Sequence, residues 1–173
     1  MENQQIAAEE KKSFHPLLTT DELLAHWQGH RGLTRRVIEA FPETQLFTYS
    51  IGGMRPFAEM VKELIDIAGP GVEGMATGNW GNTGEWDHSM EKAGIRSKQD
   101  LLDKWDEVTE RIRQFWPQIS PERFQETDVA FGQYENKIHA TLFYTIDNEI
   151  HHRGQGYVYL RSLGVEPPPF WEH

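Results

Sequence analysis

Apolar residues recur at helical spacing in the first part of the chain and predict two helices there. The first has Thr20 as its N-cap, acidic residues in its first turn and Pro42 as its stop. Its inward stripe consists of Leu23, Trp27, His30, Thr34, Val37 and Phe41. The second opens at Arg55, with proline in its first turn, and is expected to end at the Gly-Pro-Gly of residues 69–71.

Two more helices are predicted in the second half of the chain. Ser97 and Asp100 form a capping-box pattern before the third helix. Its stripe is Leu101, Trp105, Val108, Ile112 and Phe115. The fourth helix runs from about Ile138 to Leu163, with Gly164 just beyond its end. Residues 124–133 are short, mixed and β-capable, so an irregular or hairpin-like connection is expected there.

These elements predict an all-α fold, a four-helix bundle with long connections between helices 2 and 3 and between helices 3 and 4. Residues 69–84 contain six glycines and are predicted to be a loop. Residues 1–14 carry little apolar character, which is typical of a flexible N-terminal tail. Residues 15–173 are then expected to form a single helical-bundle domain.

The composition narrows the classes of function. The chain has 173 residues and no cysteine, which excludes disulfides, thiolate nucleophiles and iron–sulfur clusters and is compatible with a reducing cytoplasm. A formal net charge of −10 argues against nucleic acid as a partner. No apolar run reaches the length of a membrane span. Eight histidines and 27 carboxylates therefore remain as the groups for metal binding or acid–base chemistry.

One face of the fourth predicted helix is polar but uncharged. Within an arc of about 80° it carries Tyr144, Asn148, His152, Gln155 and Tyr159. A neutral polar face on a central helix predicts the wall of a polar pocket. Asn148 and His152 are spaced i and i+4 and can point at one atom, but Asp147 and His151 have the same spacing on the adjoining face. Spacing alone does not choose between the two pairs.

His30 lies in the apolar stripe of the first helix, beside Thr34. A buried imidazole needs a hydrogen-bond partner, so His30 is either a satisfied core residue or part of a site. Arg31 is expected to face away from the core. Glu149 and Arg153 are expected to form an ion pair that contributes only roughly a few tenths of a kcal/mol if exposed.

The other histidines have weaker positions. His88 is expected to be a solvated loop residue. No set is apparent for His15, His26, His139 and His173. Residues 69–74 match Gly-x-Gly-x-x-Gly, but a helix precedes them and loop is expected to follow, so a helix C-cap and turn is predicted rather than a dinucleotide site.

The fourth helix contains Asp-Asn-Glu-Ile-His-His-Arg-Gly-Gln at residues 147–155, followed by Tyr-Leu-Arg-Ser-Leu-Gly at residues 159–164. Together with Arg-Pro-Phe-Ala-Glu at residues 55–59 and a Pro-Pro tail, this string resembles the DinB-like (YfiT/DinB) family over about residues 15–171. That family consists of bacterial four-helix-bundle metalloenzymes, many without an assigned activity. The resemblance implies a homodimer, and a cytoplasmic location is expected from the absence of cysteine.

Family members typically bind nickel or zinc through three histidines, one on helix 2 and two at i and i+4 on helix 4. The resemblance places His152 at the second helix 4 position, Asn148 at the first, and Glu63 at the helix 2 position. It therefore selects the Asn148/His152 face and implies a degenerate Glu/Asn/His site. Such a site favours a harder or borderline divalent ion, nickel, zinc or manganese, with His30 as a compensating ligand or neighbouring donor.

Two functions are compatible with these residues. One is a metal-dependent enzyme, as in relatives that transfer a thiol such as bacillithiol or mycothiol. The other is a metal-free bundle that binds a small ligand or a partner through a buried polar pocket. The pocket residues in both hypotheses are His30, Thr34, Tyr144, Gln155 and Tyr159. Neither hypothesis involves nucleic acid or a membrane.

Overall fold

The computed structural model describes residues 17–81 and 90–173. The helices are α1 (Thr20–Ala40), α2 (Glu43–Thr48), α3 (Phe57–Thr77), α4 (Lys98–Phe115) and α5 (Ile138–Ser162), and the strands are β1 (Thr127–Ala130) and β2 (Tyr134–Lys137). The prediction of a mostly helical chain is confirmed. The short helix α2 is an addition to the predicted elements.

Capping boxes begin α1 and α4, as local sequence favours. Thr19 caps α1, so the prediction of Thr20 is wrong by one residue. The Thr19 hydroxyl accepts a hydrogen bond from the Glu22 amide at 3.2 Å, and the Glu22 carboxylate accepts from the Thr19 amide at 2.7 Å. The capping box of Ser97 and Asp100 is confirmed.

Residues 69–77 are the second half of α3, so the prediction of a loop there is wrong, and so is the turn assigned to the Gly-x-Gly-x-x-Gly string. The helix continues through a proline and ends only at Gly78, whose φ of 77° is left-handed. The glycines admit close neighbours: a Cβ on Gly74 would lie 2.3 Å from the Trp80 ring. Packing of this buried surface outweighs the weak helix propensity of glycine and proline.

The four long helices surround a common core. Both α1 and α3 contact α4 and α5, and Trp27, Phe57 and Trp105 are among the fully buried side chains. The start of α3 approaches α5 at Gly156, where a Cβ would lie 2.5 Å from the Phe57 ring. This contact holds the two helices close together and lets side chains of α3 reach those of α5.

An antiparallel hairpin precedes α5, which matches one of the two alternatives for this connection. Its register pairs Thr127 with Lys137 and Ala130 with Tyr134. Phe131, Gly132 and Gln133 form the turn, in which Phe131 has a φ of 54° and Gly132 a φ of 68°. Because β2 leads directly into Ile138, the hairpin lies at the N-terminal end of α5.

Within residues 17–81 and 90–173, no helix combines the length and the apolar character that are needed to cross a membrane. The predicted tail of residues 1–14, His15 and the loop around His88 lie outside the described residues. The single domain of residues 15–173 stays a prediction.

Candidate metal centre

Two polar pairs on α5, each spaced i and i+4, face different helices. Asn148 and His152 contact Glu63 of α3, whereas Glu149 and Arg153 contact α1. The pairs are offset by one residue, and the 100° step of an α-helix separates their faces. We call Glu63, Asn148 and His152 the α3-side set. The α1-side set consists of Glu149, Arg153, Thr34, His30 and Arg31.

The α3-side set centres on one carboxylate oxygen. Glu63 Oε1 lies 3.2 Å from His152 Nε2 and 3.3 Å from Asn148 Nδ2. Arg55 donates a hydrogen bond to the other oxygen, Oε2. The side chain of Glu63 is 18% exposed and that of His152 is 9% exposed, so the set is partly buried and still reachable from solvent. The structure thus brings together the three residues predicted as metal ligands; that they bind a metal stays a prediction.

The tautomer of His152 follows from its second contact. Gln155 Oε1 lies 2.7 Å from His152 Nδ1, and a carbonyl oxygen only accepts, so Nδ1 carries a proton. In neutral His152 the Nε2 lone pair then faces Glu63 Oε1, and two acceptors face each other at 3.2 Å. A proton or a cation between them removes this repulsion. Two ligands that are each about 2.0–2.2 Å from one ion lie roughly 3 Å apart, so the spacing fits a shared ion.

Glu63 is suited to either a proton or a cation because it is ionised. Burial alone would raise the pKa of Glu63, but the hydrogen bonds from Arg55 and Asn148, together with the interaction with His152, outweigh it and lower that pKa. Asn148 turns its amide nitrogen toward Glu63. Its oxygen would become a ligand only after the amide rotates by about 180°, which exchanges two groups of similar shape. The donor set is then two oxygens and one nitrogen.

The predicted pocket residues are divided between several places. Gln155 orients His152, and its amide nitrogen donates to Met54 Sδ at 3.4 Å. Tyr159 is fully buried and donates to the carbonyl oxygen of Arg55 at 2.9 Å. Tyr144 is 61% exposed and lies at the cleft described next. His30 and Thr34 belong to the α1-side set, on the other face of α5.

A cleft of about 470 Å³ lies between α3, the hairpin and α5, and we call it the hairpin cleft. Glu63 forms part of its wall, so the cleft reaches the α3-side set. Rings of Phe131, Tyr134 and Tyr144 line it from the hairpin and from α5. The cleft therefore offers a small molecule access to the Glu63 carboxylate.

The α1-side set is buried and closely hydrogen-bonded. The predicted ion pair of Glu149 and Arg153 is present at 3.8 Å, and the two residues are only 2% and 6% exposed, so the small contribution expected for an exposed pair does not apply. Thr34 donates to Glu149 Oε1 at 2.6 Å and accepts from Arg153 Nη1 at 3.1 Å. Arg31, predicted to face away, is fully buried and lies 3.8 Å from Glu149. Burial raises the pKa of Glu149, although both arginines and Thr34 act in the opposite direction.

His30 connects this set to two more histidines. Arg153 Nη2 donates to His30 Nδ1 at 3.0 Å, and an arginine has no acceptor, so the neutral ring carries its proton on Nε2. That N–H then donates to His26 Nε2 at 3.2 Å. The His173 ring stacks on His30 with centroids 4.5 Å apart. Burial, with Arg153 and the two neighbouring histidines, lowers the pKa of His30 to about 4.

One ligating atom from each of His26, His30 and His173 lies within 4.8 Å of the others, so the cluster could hold a metal ion. In the observed hydrogen bonding, however, His30 Nε2 is occupied by a proton. The ring would have to move that proton to Nδ1 and lose the bond from Arg153 before it could be a ligand. The three imidazoles are close together, but both ring nitrogens of His30 already have hydrogen-bond partners without an ion.

Sequence reasoning missed this cluster and the buried state of Glu149. His26 and His30 are spaced i and i+4 on α1, which is a readable signal. The approach of His173 leaves no local pattern: its backbone packs beside Gly29, where a Cβ would lie 2.9 Å away. Arg36 also pairs with Glu172 at 2.9 Å. Only the fold shows that the C-terminal residues lie on α1.

Comparisons with known proteins agree on one family. A model of the DinB family matches residues 14–172. A DinB-like protein of Bacillus subtilis is 20% identical, with a TM-score of 0.69 over 87% of this chain and 98% of that chain. A DinB-like protein of Bacillus cereus is 15% identical, with a TM-score of 0.69 over 87% and 97%. A comparison with curated proteins gives no match. At these identities the two structures show the fold alone.

Proposed function

The chain belongs to the DinB family, and from this premise we propose that it is a metal-dependent enzyme whose divalent ion is held by Glu63, Asn148 and His152. The observation that carries the proposal is the contact between His152 Nε2 and Glu63 Oε1 at 3.2 Å. Gln155 fixes the proton of His152 on the other ring nitrogen. When His152 is neutral, two acceptor atoms therefore face each other in this contact, and a cation between them would remove the repulsion.

The donor atoms favour nickel, zinc or manganese. One imidazole and two oxygens form a harder set than three imidazoles, and we expect weaker binding than a three-histidine site gives. A bound divalent ion would supply Lewis acidity toward a water or thiol in the cleft. Glu63, ionised and exposed to that cleft, is placed to accept a proton from the entering nucleophile.

A small electrophile is the substrate class that fits this arrangement. The helix α3 packs against α5, and residues of the hairpin line the same cleft as Glu63. Thiol transfer is the form of the reaction suggested by the family resemblance. The homodimer, the thiol partner and the cytoplasmic location stay predictions.

The alternative is a metal-free pocket, and one observation favours it. Glu63 already accepts hydrogen bonds from Arg55 and Asn148. If His152 is an imidazolium, it donates to Glu63 and completes the network with no ion. In that case the α3-side set stabilises the fold and shapes a binding pocket.

Calorimetric titration of nickel, zinc and manganese chlorides into metal-stripped protein without a His-tag tests the proposal. We expect one ion per chain, and at least about tenfold weaker binding for His152→Ala and Glu63→Gln. His26→Ala is the matched control, because it removes an exposed imidazole of the other cluster; its affinity should match wild type. Absence of binding supports the metal-free pocket. Loss of binding in His26→Ala, with none in His152→Ala, would place the ion in the histidine cluster instead.

The enzymatic part needs its own measurement. Metal-loaded protein is incubated with a low-molecular-weight thiol and 1-chloro-2,4-dinitrobenzene as a small electrophile, and thioether formation is followed by absorbance. We expect a rate that depends on the added ion and falls in Glu63→Gln. Equal rates for the variant, wild type and a protein-free control would contradict the assignment of Glu63 as proton acceptor.

A further inference from the structure

The hairpin cleft has the dimensions of a ligand site. Its volume is about 470 Å³, and small-molecule sites commonly measure roughly 300–1,000 Å³. The Glu63 carboxylate lies in the wall nearest His152. A molecule in this cleft would therefore have one end at the α3-side set and its body between the hairpin and α5.

Aromatic side chains on two sides of the cleft remain open to solvent. Tyr134 on β2 is 57% exposed, and Tyr144 on α5 is 61% exposed. Large rings left this exposed beside a cleft are suited to stacking on a flat partner. Phe131 of the hairpin turn also lines the cleft, but it is only 7% exposed and its ring packs against Trp80, so it belongs to the core and leaves the stacking to the two tyrosines.

The charge of the cleft selects among flat molecules. Of its lining side chains in residues 17–81 and 90–173, Glu63 alone carries a charge, and that charge is negative. The other polar groups are neutral: Asn136, Thr141 and Thr145. A phosphate, sulfonate or carboxylate on the body of a ligand would meet no cationic residue in this lining, because Arg55 does not line the cleft and is already paired with Glu63, and it would face the Glu63 carboxylate instead.

We propose that the hairpin cleft binds an uncharged aromatic molecule, whose rings stack against Tyr134 and Tyr144 while its reactive end faces Glu63. The position of the reactive end rests on the proposed metal-dependent function. Binding of the rings does not, since none of the aromatic residues belongs to the α3-side set. Stacking on two rings, rather than pairing of charges, supplies the affinity.

Two dyes with the same ring system test the charge selection. N-phenyl-1-naphthylamine is neutral, and 1-anilinonaphthalene-8-sulfonate carries one added sulfonate. Both are titrated into metal-stripped full-length protein and followed by fluorescence. We expect saturable binding of the neutral dye and at least about tenfold weaker binding of the sulfonate. In Glu63→Gln the difference between the dyes should narrow because the repelling carboxylate is gone.

Variants at the exposed rings locate the binding. Tyr134→Ser and Tyr144→Ser should each weaken binding of the neutral dye at least about fivefold, because each change removes an aromatic ring on which the dye stacks. Both side chains are largely exposed, so the fold should tolerate the changes. Phe143→Ser is the control: Phe143 is 45% exposed on α5 next to Tyr144 and does not line the cleft. Its affinity for the dye should equal that of wild type.

Three outcomes would overturn the inference: no saturable binding of the neutral dye, equal binding of the sulfonate, or equal losses in Phe143→Ser and Tyr144→Ser. A separate zinc titration of the same protein keeps the two proposals distinguishable. Dye binding without zinc binding retains this inference and removes the metal-dependent function. Zinc binding without dye binding retains the proposed metal site and removes this inference.

Discussion

The α3-side and α1-side sets use neighbouring residues of one helix, yet their histidines are prepared for opposite roles. A side-chain oxygen of Gln155 faces Nδ1 of His152, which leaves Nε2 as an acceptor. A guanidinium of Arg153 faces Nδ1 of His30, which makes Nε2 a donor. The partner on the far ring nitrogen therefore decides which imidazole can receive a cation. The number of nearby histidines does not decide it, because in the cluster of three the buried His30 already has a partner at each ring nitrogen.

The carboxylates of the two sets also differ, in their burial and in the number of charged partners around them. Glu149 is 2% exposed and lies among Thr34, Arg31 and Arg153. Glu63 borders a cleft and pairs with the more exposed Arg55. A closed network is expected to stabilise the fold, whereas an open one is available for binding. Each of the following predictions tests this distinction.

The largest effect is expected for Arg153→Met. The change leaves Glu149 with Arg31 as its remaining buried cation and removes the donor to His30 Nδ1. Because the carbonyl oxygen and Nδ1 of His30 and the hydroxyl of Thr34 all lose a buried hydrogen-bond donor, the free energy of unfolding should fall by about 3–5 kcal/mol. Urea unfolding followed by tryptophan fluorescence measures it. Arg161→Met, at an exposed position of the same helix, is the control and should change stability by less than about 1 kcal/mol. If Arg153→Met unfolded at the same urea concentration as wild type, the α1-side set would not have the stabilising role assigned to it.

Stability should also depend on pH through His30. Folding lowers the pKa of His30 from 6.5 to about 4, so between these values the unfolded chain binds a proton that the folded chain does not. Stability from the neutral ring is fully present above pH 6.5 and is lost as the pH falls toward 4. The loss should reach up to about 3 kcal/mol. Urea unfolding of wild type and His30→Asn across this range isolates the contribution, because the carboxylates are common to both proteins. If the free energies of unfolding of wild type and His30→Asn changed in parallel with pH, folding would not hold His30 in its neutral form.

Gly156→Ala should disturb the spacing on which the α3-side set depends. A methyl group there would lie 2.5 Å from the Phe57 ring, so α3 and α5 must separate. We expect a loss of about 1–3 kcal/mol in the free energy of unfolding, and weaker metal binding where wild type binds an ion. Gly154→Ala is the matched control, since no atom lies within 4 Å of its added Cβ. The control should be neutral or slightly stabilising, as alanine favours a helix. Equal melting temperatures for the two variants would argue against a close contact at Gly156.

The smallest change in stability is expected for Glu63→Gln. The side chain of its partner Arg55 is 42% exposed, and a solvent-exposed ion pair contributes little. We expect the free energy of unfolding to fall by less than about 1 kcal/mol, measured by urea unfolding under metal-free conditions. If the free energy of unfolding fell as much as in Arg153→Met, the α3-side set, like the α1-side set, would have a mainly structural role.

The helical pattern of the sequence was sufficient for α1 and α4, because each has a regular apolar stripe and a capping box at its start. The prediction of α5 was also correct, with Gly164 marking its end. The pattern failed over residues 69–77, where glycine and proline predict a break and the structure continues α3. There the reason for glycine is close packing, as at Gly74 against Trp80, and such a contact lies outside any local window.

For the candidate site, the sequence by itself determined which face of α5 carries Asn148 and His152, since helical phase follows from residue number. Family resemblance supplied Glu63 as their neighbour. Only the tertiary structure decided that the contacts with Gln155 and Arg153 place the ring protons of neutral His152 and neutral His30 on opposite nitrogens, and that His173 reaches α1. Hydrogen-bond partners across helices depend on distances of a few tenths of an ångström between residues far apart in the chain. A periodic pattern carries no information about those distances.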